Sequence, residues 1–231
     1  HMSQSSFGNK FKVTTWGESH GKALGAVIDG CPAGLPLCEE DIQKFLDRRK
    51  PGQSRYTTAR KEGDLVEILS GVFEGKTTGT PISLMVRNTD QRSRDYGNIA
   101  YSYRPGHADY TFDQKYGFRD YRGGGRSSGR ETIGRVAAGA IASKILEELG
   151  ISICTYTRSI GPVEIASFNK EEIHQNAFYM PDAQAAVKAG EYLEECMKNQ
   201  DSAGGVIECR ITGTPAGLGE PVFDKLSALL A

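Results

Sequence analysis

The chain has 231 residues, of which 38% are hydrophobic, so it can form one large domain or two small ones around a buried core. Its 28 basic and 29 acidic residues leave a formal net charge of -1, which gives no global indication of nucleic-acid or membrane binding and confines any basic site to a local cluster. No apolar run approaches the roughly 20 residues of a membrane-spanning helix, and the start of the chain lacks a signal-peptide core, so a soluble cytoplasmic protein is expected.

The first two residues and the cysteines carry little functional information. His1 and Met2 look like the remnant of a cleaved tag, and His1 is left out of site reasoning. The cysteines are odd in number and scattered without a CxxC pair, which predicts reduced structural thiols. They are Cys31, Cys38, Cys154, Cys196 and Cys209.

The first two predicted elements are strands at residues 10–16 and 23–29, where β-branched and apolar residues run or alternate. Between them, residues 17–21 (GESHG) predict a tight turn that presents Ser19 and His20 at its tip. A histidine can exchange a proton near neutral pH, and a neighbouring hydroxyl can orient it. A surface histidine in a hairpin loop is the alternative.

A helix is predicted at residues 39–49, with acidic residues first and basic residues last, as the helix dipole favours. The loop that follows adds Arg55, Arg60 and Lys61, which is more basic charge than helix capping requires. An anion-contacting role for this loop is the functional interpretation. A structural role at the helix end is the alternative for Arg48 and Arg49.

Two further strands are predicted at residues 65–70 and 81–87, around a turn-rich segment at 75–80. Residues 88–126 show neither a helical nor a strand period but contain six tyrosines and two phenylalanines, which is typical of a functional loop rather than of disorder. Within it, residues 104–109 (RPGHAD) hold His107 behind a rigid turn, with an aspartate close enough to orient it. A packed, hydrogen-bonded histidine is the alternative.

Residues 123–132 (GGGRSSGRET) combine a glycine run with a helix start. Ser128 and Glu131 have the spacing of a capping box, and the apolar period that follows predicts a helix at residues 127–149, ended by Gly150.

The charges at this helix start oppose the helix dipole. Its positive end carries Arg122, Arg126 and Arg130, and each exposed cation there destabilises the helix by about 0.3 to 1 kcal/mol. If an anion is bound at this end, the same cations become stabilising. A solvated loop is the alternative. A nucleotide P-loop is disfavoured, because Arg130 and Glu131 stand where its Lys and Ser/Thr would be.

The second half predicts a strand at 151–157, a helix at 182–198 and a strand at 206–212, with His174 on the surface. A last amphipathic helix opens at Pro221 and stops at Ala231 without a capping residue, so we expect the natural protein to continue.

Four long motifs, in their order and spacing, resemble those of the chorismate synthase family. They are residues 17–21 together with 25–34 (GAVIDGCPAG), 48–52 (RRKPG), 104–109 and 123–132. The resemblance runs from about Phe7 to the end of the chain. It implies an α+β fold, a β-α-β sandwich with helices packed between two antiparallel sheets, as a single domain at residues 3–231 that is incomplete at its carboxyl end. The element order fits this fold but does not by itself single it out.

The resemblance also implies a lyase of the shikimate pathway, which supplies the aromatic amino acids. Such an enzyme converts 5-enolpyruvylshikimate 3-phosphate to chorismate by anti-1,4-elimination of phosphate. It requires reduced FMN, with NADPH as reductant in some members, and assembles as a homotetramer with no nucleic-acid or membrane partner.

Roles follow for the matching positions, as the resemblance implies them. His20 is the general acid near the leaving phosphate, and His107 protonates or hydrogen-bonds the reduced flavin. Ser19 and Ser128 are orienting or relay hydroxyls. Arg49, Arg55 and Arg130 bind the substrate. Arg126, Ser127 and Ser128 contact the flavin. No residue is assigned to a metal.

One departure from the family pattern limits the expected activity. The family's later motif, with an Arg-Asp pair and an aspartate for flavin-assisted proton removal, does not occur in this chain, so we expect the fragment to be inactive alone and to bind FMN poorly. The rival interpretation is a non-catalytic module that binds a phosphorylated anion or serves in assembly. A phosphotransferase is disfavoured for lack of a lysine-bearing P-loop.

Overall fold

The computed structural model describes residues 5–49, 63–88 and 129–218. The chain divides into two compact units, His1–Ile145 and Leu146–Ala231. Within the described ranges, no helix is long and apolar enough to cross a membrane.

The first unit is built on antiparallel strands. They are β1 (Ser6–Phe7), β2 (Lys12–Gly17), β3 (Ala23–Asp29), β4 (Val66–Ile68), β5 (Val72–Phe73), β6 (Lys76–Thr77) and β7 (Ile82–Arg87). Five of them form one sheet in the order β1-β2-β3-β7-β4, and β5 pairs with β6. Because β2 alternates buried and less buried residues, Val13 and Thr15 face the core. The predicted β2–β3 hairpin is confirmed, with Trp16 opposite Gly25.

Among the described residues, two α-helices pack in this unit: α1 (Glu39–Asp47) and α2 (Thr132–Glu148), whose last residues belong to the second unit. A 3₁₀ turn at Gly129–Glu131 precedes α2. Ile42 and Leu46 of α1 and Ile133 and Ile141 of α2 are all buried in one apolar cluster with the sheet strands. The two helices and the sheet therefore share a single core.

Helix α2 approaches the sheet at backbone distance. A Cβ atom on Gly134 would lie 2.7 Å from the carbonyl oxygen of Gly25 and 3.1 Å from Cγ2 of Thr15. Only glycine fits here without a shift of the helix. This contact holds the first turn of α2, and the 3₁₀ turn just before it, against β2 and β3.

The second unit contains β8 (Ser152–Ile160), β9 (Val163–Glu164), α3 (Ala183–Lys198) and β10 (Gly205–Thr212). The strands form an antiparallel sheet in the order β10-β8-β9. A smaller apolar cluster forms around α3, with Met180 and Ala189 fully buried. Helix α3 is capped by Asp182, whose Oδ1 accepts hydrogen bonds from the N–H groups of Gln184 and Ala185 at 3.0 and 3.1 Å.

All five cysteines are free thiols. Cys31 and Cys196 are buried, whereas Cys38 in the first unit and Cys209 in the second are exposed. Burial raises the pKa of the Cys31 thiol, which favours its protonated form.

The α+β class expected from the sequence is confirmed, and most differences concern element ends. The strand predicted at 65–70 is limited to Val66–Ile68, and Leu65 and Leu69 on either side of it are exposed. The strand predicted at 151–157 extends to Ile160, because β10 continues pairing past a bulge between Val206 and Ile207. His174 is exposed as predicted, in an unpredicted 3₁₀ turn at Lys170–His174. The loop at 88–126 beyond Asn88 and the helix from Pro221 lie outside the described residues.

A candidate anion site around Asp64

The turn between β2 and β3 carries the histidine that the sequence singles out. Gly17 has a φ of 91°, which permits the sharp reversal, and the N–H of Gly21 donates to the carbonyl oxygen of Glu18 at 3.2 Å. Ser19 is only 1% exposed, and its Oγ lies 3.0 Å from Nδ1 of His20. The hydroxyl therefore fixes the ring orientation of a half-buried histidine.

Asn88, directly after β7, holds this turn in place. Its Nδ2 donates to the carbonyl oxygens of Glu18 and Gly21 at 3.0 and 2.9 Å, and its backbone N–H donates to Lys22. Its side-chain oxygen accepts from Nε of Arg130 at 3.0 Å. One buried carboxamide thus joins the histidine turn to the 3₁₀ turn before α2.

Arg130 is buried rather than solvated, with 6% of its surface exposed. Besides its bond to Asn88, its Nη1 donates to Oδ1 of Asp64 at 3.1 Å. These two acceptors offset the unfavourable position of a cation near the start of a helix. For Arg130, the solvated-loop alternative is wrong.

Asp64 is fully buried and faces a second arginine. Its Oδ2 lies 3.6 Å from Nη1 of Arg49. The backbone of Asp64 is fixed to α1, because its carbonyl oxygen accepts from Nε2 of Gln43 at 2.8 Å. The Oε1 atom of Gln43 in turn accepts from the N–H of Val66 at 3.0 Å.

Arg49 follows the end of α1 and reaches across to the start of α2. Its Nη2 donates to the carbonyl oxygen of Gly129 at 3.0 Å and to Oγ1 of Thr132 at 2.9 Å. Burial lowers the pKa of the Arg49 guanidinium; attraction to Asp64 opposes this shift and repulsion from Arg130 adds to it. Arg49 therefore connects the end of α1 to the start of α2, in addition to complementing the dipole of α1.

The cluster of Arg49, Asp64 and Arg130 contains two cations and one carboxylate. Guanidinium groups bind phosphate and carboxylate oxygens through paired N–H donors, and they do so more strongly where water is excluded. The two guanidiniums are thus groups of the kind that bind an anion. No group of three or more histidine, cysteine or acidic side chains suited to a metal ion occurs among the described residues.

The described part of the chain links four of the predicted site residues through hydrogen bonds and one longer ion pair: Ser19, His20, Arg49 and Arg130. The others lie outside the described residues: Arg55, His107, Arg126, Ser127 and Ser128. The predicted capping box stays a prediction for the same reason. The carboxylate of Glu131 accepts from Oγ1 of Thr15 at 2.6 Å and from Nε of Arg135 at 3.2 Å.

Sequence reasoning missed Asp64 and Asn88. The available signal was positional: each polar residue stands directly beside a predicted strand, Asp64 before the strand at 65–70 and Asn88 after that at 81–87. Polar residues at strand ends are common, so this position alone does not distinguish a structural role from a functional one.

Comparison with known proteins places these residues in a family. The family model described as chorismate synthase matches residues 11–231. Chorismate synthases of Agathobacter rectalis and Lachnoclostridium phytofermentans are 70% and 68% identical to the chain, over 100% of its length and 63% of theirs. That of Novosphingobium aromaticivorans is 58% identical over 100% of the chain and 65% of its own length. A crystal structure of a chorismate synthase matches with a TM-score of 0.73 and 36% identity, over 91% of this chain and 60% of that one. The chain thus spans less than two thirds of the length of these proteins.

Proposed function

The chain belongs to the chorismate synthase family, and from that premise we propose that it carries the phosphate-binding part of an enzyme that converts 5-enolpyruvylshikimate 3-phosphate to chorismate. The observation that carries the proposal is the cluster in which Asp64 forms ion pairs with Arg49 and Arg130, and Asn88 joins Arg130 to the turn of His20 by hydrogen bonds. A leaving phosphate needs cationic donors and a proton donor in one place.

In this proposal Arg49, Arg130 and, outside the described residues, Arg55 bind anionic groups of the substrate. As the carbon–oxygen bond to phosphate breaks, its electrons move to the phosphate oxygen, and protonated His20 donates its Nε2 proton there. Inorganic phosphate leaves and neutral His20 remains. A ring C–H bond of the substrate also breaks, its electrons form the new double bond, and its proton would go to the aspartate of the family's later motif. Ser19 Oγ, 3.0 Å from Nδ1, holds the ring so that Nε2 faces the leaving group.

We also propose reduced FMN as the cofactor, with NADPH as reductant where a family member reduces its own flavin. When bound, the flavin supplies electron density to the substrate as phosphate leaves. The residues proposed to hold it are Arg126, Ser127 and Ser128, with His107 near its ring, and they lie outside the described residues. The described donors, Arg49 and Arg130, are suited to a phosphate, and no step above passes through the flavin. A cytoplasmic homotetramer is part of the same proposal.

Titration calorimetry with the purified chain tests the anion site. We expect 5-enolpyruvylshikimate 3-phosphate to bind the wild-type chain and to bind Arg130→Ala at least about tenfold more weakly, because one buried guanidinium is lost. Arg87→Ala is the matched control, since Arg87 forms an exposed pair with Glu67. Equal affinities for wild type and Arg130→Ala would contradict the proposal.

Kinetics test the catalytic part. In a version extended to the length of its relatives, His20→Ala should slow turnover by about 10²-fold or more, as the loss of a general acid does. A near-normal rate would contradict the role of His20. With the chain alone and reduced FMN supplied, measurable turnover would contradict the expected inactivity. Binding of substrate without any effect of FMN would favour the non-catalytic module.

A further inference from the structure

We propose that Asn88 is a positioning residue that couples the turn of Ser19 and His20 to the guanidinium of Arg130. The inference rests on the proposed function for the roles of His20 and Arg130. In that proposal Asn88 touches neither substrate nor cofactor. It acts through the residues it binds, which are those of the His20 turn and Arg130.

The carboxamide of Asn88 uses both of its amide hydrogens on one turn. Nδ2 donates to the carbonyl oxygens of Glu18 and Gly21, the two residues that flank Ser19 and His20. The backbone N–H of Asn88 donates to Lys22 at 3.0 Å. Three hydrogen bonds from one residue therefore define where the turn lies relative to the end of β7.

The oxygen of the same carboxamide accepts from Arg130. The Nε–H of Arg130 points to Asn88 Oδ1 at 3.0 Å, while Nη1 points to Asp64 Oδ1 at 3.1 Å. A planar guanidinium that is fixed at two of its edges has a fixed orientation. Because Asn88 supplies one of those acceptors, a movement of the turn must also move or break the bond to Arg130.

No other common side chain of this size offers two N–H donors and an acceptor. An aspartate retains the acceptor but not the donors, and a serine retains one hydroxyl. Asn88 is only 8% exposed, so its carboxamide is largely shielded from water. The chemistry of the site thus requires an amide at residue 88.

The functional consequence is alignment. A general acid works only when its proton lies along the path to the leaving atom, and a displacement of about 1 Å can reduce the rate by 10²-fold. If Arg130 binds the leaving phosphate and His20 protonates it, Asn88 sets the distance and angle between them.

The first test is Asn88→Asp in the purified chain. The carboxylate still accepts from Arg130 but cannot donate to Glu18 or Gly21, so the turn should separate from an arginine that remains in place. We expect large changes in the NMR amide resonances of Ser19 and His20, with the fold otherwise retained. Asn176→Asp is the matched control: Asn176 also donates to two carbonyl oxygens, those of Glu172 and Met180, but lies in the second unit. It should leave Ser19 and His20 unchanged.

A double-mutant cycle tests the coupling itself. Arg130→Lys keeps the charge but loses the planar fork, so direct electrostatic effects on His20 stay small. We expect it to shift the Ser19 and His20 resonances when residue 88 is Asn, and not in the Asn88→Ser background. Equal shifts in both backgrounds would overturn the proposal. This cycle also decides the matter if Asn88→Asp fails to fold.

Kinetics separate the inference from the proposed function. In the extended version, Asn88→Asp should lower kcat about 10- to 100-fold with little change in KM, since alignment rather than binding is lost. Normal turnover of Asn88→Asp with slow turnover of His20→Ala would overturn the positioning role alone. Normal turnover of His20→Ala with a positive NMR cycle would overturn the proposed function and leave the coupling standing.

Discussion

Asp64 shows how a buried carboxylate can prepare a site for anions. Its two oxygens face Arg130 at 3.1 Å and Arg49 at 3.6 Å, and its side chain has no exposure. A buried charge is tolerated only when it is paired, and here one carboxylate serves two guanidiniums. In the proposed function, the phosphate of the substrate binds to these two guanidiniums.

Replacing Asp64 by Asn should therefore destabilise the chain and change its response to anions. We expect a loss of about 3 kcal/mol in the free energy of unfolding, because Arg49 and Arg130 both lose their contact with this buried carboxylate. Added inorganic phosphate should restore more stability to Asp64→Asn than to wild type. Urea denaturation followed by the fluorescence of Trp16, the single tryptophan, measures both effects.

Glu67→Gln is the control for this prediction. The pair between Glu67 and Arg87 is exposed, with 46% and 69% of the side chains accessible, and its loss should cost less than about 1 kcal/mol. If phosphate stabilises Asp64→Asn and wild type equally, the cluster does not bind anions in the way described.

The sequence indicated half of this cluster at the level of single residues. Arg130 could be predicted to need an anionic partner, because a cation at a helix start opposes the helix dipole. The partners could not be identified, since Asp64 and Asn88 lie 66 and 42 residues away along the chain and pairing over such distances depends on the sheet order. The tight turn that carries Ser19 and His20 could be predicted from its flanking glycines, whereas the roles of these two residues came from the family resemblance.

At the level of elements, α2 is fixed by its glycine contact with the sheet. Gly134 lies so close to β3 that any side chain must displace the helix, and the 3₁₀ turn with Arg130 precedes it directly. The packing of one helix thus determines where a charged side chain enters the core.

Gly134→Ala and Gly139→Ala should have opposite effects. A Cβ on Gly134 would lie 2.7 Å from Gly25, so this variant should lose about 1 to 3 kcal/mol of stability by overpacking. A Cβ on Gly139 would meet nothing within 4 Å, so that variant should gain up to about 1 kcal/mol from the better helix propensity of alanine. Urea denaturation followed at Trp16 distinguishes the two. Stabilisation by both substitutions would show that the helix is free to shift.

Element types were predicted better than element ends. The hairpin of β2 and β3 follows from alternation and the intervening glycines, and α1 from its apolar stripe and ordered charges. The end of β8 could not be predicted, because it depends on pairing with β10, whose bulge has no signal in the sequence of β8.

For the whole molecule, each unit contains a carboxylate whose stabilising effect depends on pH. In the second unit, hydrogen bonds from the N–H groups of Ala166 and Ala185 lower the pKa of Asp182, helped by those of Ser167 and Gln184. In the first unit, burial alone would raise the pKa of Asp41, but Lys144 and the N–H of Cys38 outweigh it and the net pKa is lowered. A carboxyl group with a lowered folded pKa stabilises above its unfolded pKa, about 3.9, and loses that contribution as pH falls through the folded value.

Asp182→Asn should therefore be less stable than wild type near neutral pH and approach it in acid. The new amide nitrogen cannot accept from Ala166 and Ser167, which should cost about 1 to 3 kcal/mol at pH 7. As the pH falls through the lowered pKa of Asp182, the wild-type carboxylate is protonated and the difference in stability should shrink. Hydrogen exchange of the α3 amides, followed from pH 7 into acid, measures this difference. Asp201→Asn is the control, because the Asp201 carboxylate is exposed and accepts only from the N–H of the adjacent Ser202 among the hydrogen bonds described. If the stability difference between Asp182→Asn and wild type did not change with pH, the prediction would be contradicted.

The exposed thiols offer a use that follows from their distribution. Cys38 and Cys209 are accessible and belong to different units, while Cys31 and Cys196 are shielded. Once Cys154 is replaced by serine, a maleimide dye pair would label each unit at one native position. Energy transfer between the two dyes would then report, molecule by molecule, whether a phosphorylated ligand changes the separation of the units in solution.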